Sequence, residues 1–229
     1  VYHKNLKMVI ADRNLGLMKL KDKIFDFIID FIGYEASSVL LAMENFKNAH
    51  YILISSSWVS QYEDNLRTFF SYEQKYIIGK LEAEHILKKD YDKGYLRNVL
   101  RLPITLGEED HSERFNYYLW RLIDKRPIIC VKKNINMTQI TYKDDVINAI
   151  VDFIKNKNLI KNFIYEGLPR ERVSQEGIIE NIASAIKVDY RSFSYSETFL
   201  KKKFEEMLVL NPFYREVDYI EKYPNLFEY

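Results

Sequence analysis

Glycine is scarce. The 229 residues hold seven, at positions 16, 33, 79, 94, 107, 167 and 177, and no grouping of them satisfies G-x-G-x-x-G or G-x-x-G-x-x-G. A backbone cradle for phosphates of that kind is therefore not encoded within the chain. Cysteine is scarcer still. Cys130 stands alone, which excludes an internal disulfide framework and any multi-cysteine zinc or iron–sulfur centre, and fits a reducing compartment. Its setting, PIICVKK, reads as a buried strand rather than a nucleophile's surroundings. The four histidines, His3, His50, His85 and His111, show no metal-ligand spacing, and no paired-acid cluster accompanies them, so no metal is expected.

No stretch approaches the roughly eighteen apolar residues needed to span a bilayer. The opening VYHKNLKMVIADRN has none of the successive parts of a signal peptide, so a soluble cytoplasmic protein is expected. Excess charge is missing too: 34 basic residues face 33 acidic ones. Neither nucleic acid, a membrane surface nor a polyacidic partner is expected from that balance.

What the chain does have is apolar content, 47% hydrophobic against 29% charged residues, and length enough to bury a sizeable core. Short apolar runs alternate with helical patterns. LKMVIA (6–11) reads as a buried strand ending in a carboxylate at Asp12; residues 17–25 as a short helix; FDFIIDF (25–31) as a second strand; 37–46 as a helix; and YILIS (51–55) as a third strand. LRNVLRL (96–102) follows as a further strand. This alternation predicts an α/β, Rossmann-like doubly wound parallel sheet. Regular alternation stops after Pro103, which predicts a main domain over 1–105 and a smaller α/β lobe over 106–229, with some elements returning to the main sheet. In that lobe 115–123 reads as a helix, PIICV as a strand, 139–142 as an extended piece and 146–155 as a helix. Beyond these come a strand at 162–165, a helix after a Ser174 cap, and a last helix around 199–208.

Between the third and fourth strands of the main domain lies SYEQKYIIGKLEAEHIL, residues 71–87. Helical spacing puts Tyr76 and Lys80 on one face. A neighbouring ammonium favours the ionised phenol, bringing a tyrosine into the range where it exchanges protons with a substrate hydroxyl. In a doubly wound sheet, ligands bind outside the carboxyl ends of the strands. Asp12, Gly33, Ser55 to Ser57 and Pro103 all follow predicted strands, so the fold gathers them at the edge the Tyr76/Lys80 helix also reaches.

Together VIADRN, ILISSSWV, Tyr76-Ile-Ile-Gly-Lys80 with LEAE, LRLPITLGEED and QITYKDDVINAI resemble, in order over residues 6–155, the extended short-chain dehydrogenase/reductase superfamily and its NAD-dependent epimerase/dehydratase group. The DRN, FDFIIDFIGY and ISSSWV segments are most similar to the atypical branch, some of whose members have altered or lost catalysis. The resemblance implies an NAD- or NADP-dependent epimerase, dehydratase or reductase acting on a nucleotide-linked sugar, with a homodimer among the assemblies to expect. Tyr76 would transfer the proton, Lys80 would hold the nicotinamide ribose and support the tyrosinate, and Ser56, with Ser55 and Ser57 as neighbours, would hydrogen-bond the reacting oxygen. Asp12 would contact the adenine with Arg13 beside it. Gly33 would admit the dinucleotide backbone, and Pro103 and Ile104 would flank the nicotinamide. Ser57, Arg114 and Gln139 fall on the substrate side.

The resemblance also has departures. Val59-Ser60-Gln61 replaces Val-Tyr-Gly, and Leu102-Pro103 replaces Arg-Pro, with Arg101 displaced by one. The glycine loop belongs to a strand that would precede Leu6, so the expectation is a sequence incomplete at its amino end by a strand, a helix and a strand. A chain that has lost dinucleotide binding is the alternative. Two further readings stay open: a non-catalytic binding or regulatory member of the fold, and a subunit completed by a partner.

Overall fold

The computed structural model describes residues 4–64, 71–108, 110, 114–131, 139–157, 160–167 and 172–195. The chain divides into two compact units, Val1–Leu102 with Asn148–Gly167, and Pro103–Ile147 with Leu168–Tyr229. In order, the elements are α1 (Arg13–Leu20), β1 (Phe27–Asp30), α2 (Ala36–Asn45), β2 (His50–Ser56), α3 (Ser57–Glu63), α4 (Ser71–Tyr91) and β3 (Arg97–Leu102). Then follow β4 (Ile104–Leu106), α5 (Arg114–Ile123), β5 (Ile128–Val131), β6 (Ile140–Tyr142), α6 (Lys143–Lys155), β7 (Ile164–Glu166), α7 (Gln175–Ile186) and β8 (Ser192–Tyr195).

The first unit is built on a parallel sheet in the order β1-β2-β3-β7. Its register sets Ile52 beside Ile29 and Asn98, and Val99 beside Ile164. Nearly all of β2 is buried, as a strand covered on both faces must be, which is why its sequence is an unbroken apolar run instead of an alternating one. Val39, Ala42 and Met43 of α2 and Ala83 and Leu87 of α4 form one core with Tyr51, Leu53 and Val99. In the second unit β4 pairs with β6 and β5 with β8, all parallel. Tyr118 and Leu122 of α5, Ile179 and Ile182 of α7, and Ile128 and the buried Cys130 make its core. The Ser174 hydroxyl accepts from the Gly177 N–H at 3.0 Å and caps α7 as its sequence position predicts.

Residues 6–11 are not a strand. Leu6, Met8, Val9 and Ile10 are exposed, Ile10 to 88%, and among the described residues no strand pairs with them. An apolar run becomes a strand only when a neighbour accepts its backbone hydrogen bonds. Helix α1 also starts earlier than the pattern predicts, because the Asp12 carboxylate accepts from the N–H groups of Asn14 and Leu15 and nucleates it there. The helix expected at 199–208 lies outside the described residues. Among those residues no helix is long and apolar enough to cross a membrane.

At the amino end of β2, His50 is buried with Nε2 2.6 Å from Asn98 Oδ1. An amide oxygen only accepts, so Nε2 bears the hydrogen, while Nδ1 is buried without a partner. Burial lowers the His50 pKa, Asn98 opposes that, and Arg97 and Lys157 add to it. A histidine depressed in the folded state contributes stability above its ordinary pKa of about 6.5 that is lost as pH falls. The thermal midpoint is therefore expected to drop on acidification below that value. His50→Gln, which keeps a donor for Asn98, should flatten the slope in calorimetry across the same range.

Candidate active site

Helix α4 carries Glu73 in its first turn and Lys88 and Lys89 in its last, both favourable to the helix dipole. Its middle presses against the loop after β1. A Cβ added at Gly79 would lie 2.3 Å from the Tyr34 carbonyl oxygen, a contact no side chain permits, so glycine is what allows this approach. One residue on, Lys80 is 1% exposed. Its Nζ donates to the Ile54 carbonyl of β2 at 2.7 Å and stands 4.7 Å from the centre of the Tyr34 ring. Burial pushes the Lys80 pKa down to about 8, with Asp30 and Glu84 raising it and Arg13 lowering it. Tyr76 is half-buried. Its ring centre lies 5.9 Å from that of Tyr34 and 6.4 Å, edge-on, from that of Trp58.

The serine run at the end of β2 divides its duties. Ser55 is buried and donates to Glu84 at 2.5 Å. Ser56 caps α3, its oxygen accepting from the Trp58 N–H at 3.2 Å; a hydroxyl used as an acceptor keeps its own O–H to donate elsewhere. Ser57 is buried in the first turn of α3. Glu84 is also gripped by Arg101 of β3, Nη2 to Oε2 at 2.6 Å. Arg101 further reaches Ser60, at 3.0 Å, and Glu63 of α3, at 2.8 Å, and Glu166 of β7, at 3.4 Å. Burial opposes the Arg101 charge, yet the hydrogen bonds and charges of Glu84 and Glu63 hold its pKa above the usual arginine range. One guanidinium thus ties β3, α3, α4 and β7 together.

A second buried network closes the end of β1. Asp30 is held by both Arg13 terminal nitrogens, with Nη1 at 2.7 Å, by the Tyr51 hydroxyl, and by the Ile32 N–H at 3.1 Å. Arg13 Nε donates to Ser38 of α2 at 3.1 Å. Although burial works against the Asp30 charge, these donors keep its pKa below the ordinary value. Tyr51 is driven upward by burial and by the Asp30 charge.

No protein-family model and no curated protein sequence matches the chain. Solved structures do. UDP-N-acetylglucosamine 4-epimerase from Bacillus cereus matches with a TM-score of 0.60 at 14% identity, over 90% of this chain and 81% of that one. RMD from Pseudomonas aeruginosa, complexed with NADPH, matches with a TM-score of 0.65 at 15% identity, over 88% and 84%. UDP-glucuronic acid 4-epimerase from Bacillus cereus, in complex with NAD, gives 0.63 at 18% identity, over 81% of this chain and 66% of that one. The chain has the fold of the extended short-chain dehydrogenase/reductases. It spans about two thirds of the length of the UDP-glucuronic acid epimerase.

Within this fold, the structure brings Tyr76 and Lys80 close to the end of β2 that carries Ser56, through Trp58 and the Ile54 carbonyl. It commits Asp12 to capping α1 and Arg13 to Asp30. Gly33 is enclosed by the chain itself: a Cβ there would meet Leu53, Asp30 and Val39 side chains at 2.7 to 2.9 Å. In the second unit, Pro103 is buried and the Ile104 N–H donates to the carbonyl of the buried Gln139 at 3.3 Å. Arg114 opens α5, and its side chain lies outside the described part. Ser60, standing where the resemblance has tyrosine, and the displaced Arg101 both belong to the Glu84 network. The sequence pattern assigns no role to Glu84 or Tyr34, and the four-residue step from Lys80 to Glu84 is the one signal that points to the first.

Proposed function

We propose that the protein is an NAD(P)-dependent epimerase, dehydratase or reductase of a nucleotide-linked sugar, working in the cytoplasm. The observation that supports this reading most is Lys80, an ammonium kept almost wholly from water beside a half-exposed tyrosine at the carboxyl edge of a parallel sheet. Burying that charge has a cost, which a purely structural position would avoid with an apolar residue.

On the nicotinamide side, Lys80 and Ser56 are the residues that would hold the dinucleotide and its substrate. Lys80 has further N–H groups to donate to ribose hydroxyls, and Ser56 has its O–H to donate to a sugar oxygen. The seven glycines of this sequence supply no diphosphate loop. When bound, NAD(P) supplies hydride acceptance and return. Tyr76, as tyrosinate supported by the Lys80 charge, takes the proton from the sugar hydroxyl as it is oxidised and returns it on reduction. Ser56 donates to the same oxygen and aligns it.

Fluorescence titration of the native protein with NADH and NADPH tests this reading. Affinity is expected to be highest below pH 8 and to weaken as pH rises through the Lys80 pKa of about 8, since the neutral amine loses its charge. Binding of neither nucleotide at any pH would sink the proposal.

A further inference from the structure

The loop after β1 ends in Gly33-Tyr34, and the resemblance assigns Tyr34 no role. Three contacts nevertheless converge on it. Its carbonyl oxygen lies against Gly79, so close that no Cβ fits between them. Its ring centre is 4.7 Å from Lys80 Nζ. The same ring is 5.9 Å from that of Tyr76. Backbone and side chain of one residue thus meet three members of the Tyr-x-x-x-Lys segment, at positions 76, 79 and 80.

We infer that Tyr34 is a positioning residue for the Tyr76/Lys80 pair, its carbonyl setting the approach of α4 to the sheet and its ring face holding the Lys80 ammonium against β2. The inference rests on the functional reading above for its consequence in catalysis, and on the geometry alone for the coupling to Lys80. An aromatic face attracts a cation through the negative charge above the ring, most strongly where water is excluded. Lys80 is such a cation, its Nζ donating to the Ile54 carbonyl on one side and facing that ring on the other. The other charges acting on it are Asp30 at the end of β1, Glu84 one turn on in α4, and Arg13 of α1. Asp30 and Glu84 each answer to an arginine of their own, Arg13 and Arg101. Tyr34 is left as the contact whose removal acts on Lys80 without unpairing a buried carboxylate. It is also half in water, 50% exposed, so replacing it leaves no buried cavity.

A double-mutant cycle on folding stability tests the coupling, using Tyr34→Leu and Lys80→Met singly and together, with Tyr34→Phe as the variant that keeps a ring face. Below pH 8 the cycle is expected to show Tyr34 and Lys80 favouring one another by about three- to tenfold in the folding equilibrium, with the coupling fading as pH rises through the folded-state Lys80 pKa of about 8, where the buried amine loses its charge. Tyr34→Phe should behave as the unaltered protein. The second arm is NADH and NADPH titration: Tyr34→Leu should weaken affinity by a comparable factor, while Tyr34→Phe leaves it unchanged. A cycle with no coupling at any pH overturns the inference, even if nucleotides bind. So does a Tyr34→Phe variant as impaired as Tyr34→Leu, which would assign the effect to the hydroxyl. Coupling in the cycle with no nucleotide binding by any variant would keep Tyr34 as the partner of Lys80 and refute the enzymatic reading instead.

Discussion

Replacing Lys80 by methionine is expected to make the protein more stable and inactive at once. A lysine whose pKa falls from 10.5 to about 8 on folding binds its proton less well in the folded chain, and at neutral pH this difference amounts to about 3 kcal/mol. The cost is complete below pH 8, shrinks as pH rises, and vanishes above 10.5. Methionine fills a similar volume without charge but forfeits the hydrogen bond to Ile54 and the contact with the Tyr34 ring, so a net gain of about 1–2 kcal/mol is expected, or ~4 °C in Tm for a chain of this size. Turnover and dinucleotide affinity should both collapse. Tyr76→Phe separates the two effects: turnover should fall by about 10²–10⁴, the range for a lost proton-transfer group, while stability stays within about 1 kcal/mol. Calorimetry of Lys80→Met at pH 7 and pH 10 and single-turnover assays of Tyr76→Phe make the check. Loss of stability in Lys80→Met would mean that the ammonium serves the fold. A Tyr76→Phe protein with its biological activity intact would instead favour a regulatory or binding role.

Gly79→Ala is the second substitution with a large expected effect, and two forces oppose each other in it. Alanine in a helix interior is favoured over glycine by about 1 kcal/mol. Against that, the new methyl would sit 2.3 Å from the Tyr34 carbonyl oxygen, and backbone on both sides has to move to relieve it. Overpacking of this kind typically costs 1–3 kcal/mol, occasionally more, and here the contact is with a main-chain atom rather than the end of a flexible side chain. A net loss of about 2 kcal/mol is expected, with activity falling further than stability, because the displaced turn carries Tyr76 and Lys80. Urea denaturation gives the sign directly: a gain of about 1 kcal/mol, as helix propensity alone dictates, would show that α4 and the Tyr34 loop are not in close contact.

What the sequence made legible was whatever is local. The buried strand β2 announced itself as YILIS, Ser174 as a helix cap, and Tyr76 with Lys80 as a pair on one helix face, and the structure has all three features. Properties that arise between distant segments stayed hidden. LKMVIA has every local mark of a strand, but pairing belongs to a neighbour, and among the described residues it has none. Helix α3 is not legible in the sequence because SWVSQYE shows no helical apolar stripe; what starts it is the Ser56 side chain turning back to Trp58. Spacing gave the Tyr76/Lys80 pair but not the depth of Lys80, which depends on Tyr34, forty-six residues earlier in the chain, and on Ile54. Glu84 and Arg101 are two ordinary charged residues in the sequence, and only the packing of α4 on β3 makes them a buried pair.

The chain passes between its two units at Leu102, inside α6 and again at Gly167. Neither unit is consequently an uninterrupted stretch that a gene fragment could encode. A product ending at Leu102 would keep β3 but lose β7, the parallel neighbour of Val99 to Arg101, and with it Glu166. Recombination that exchanged one unit while keeping the other would have to cut at all three crossings together. Inheritance as a single block is what that threading favours.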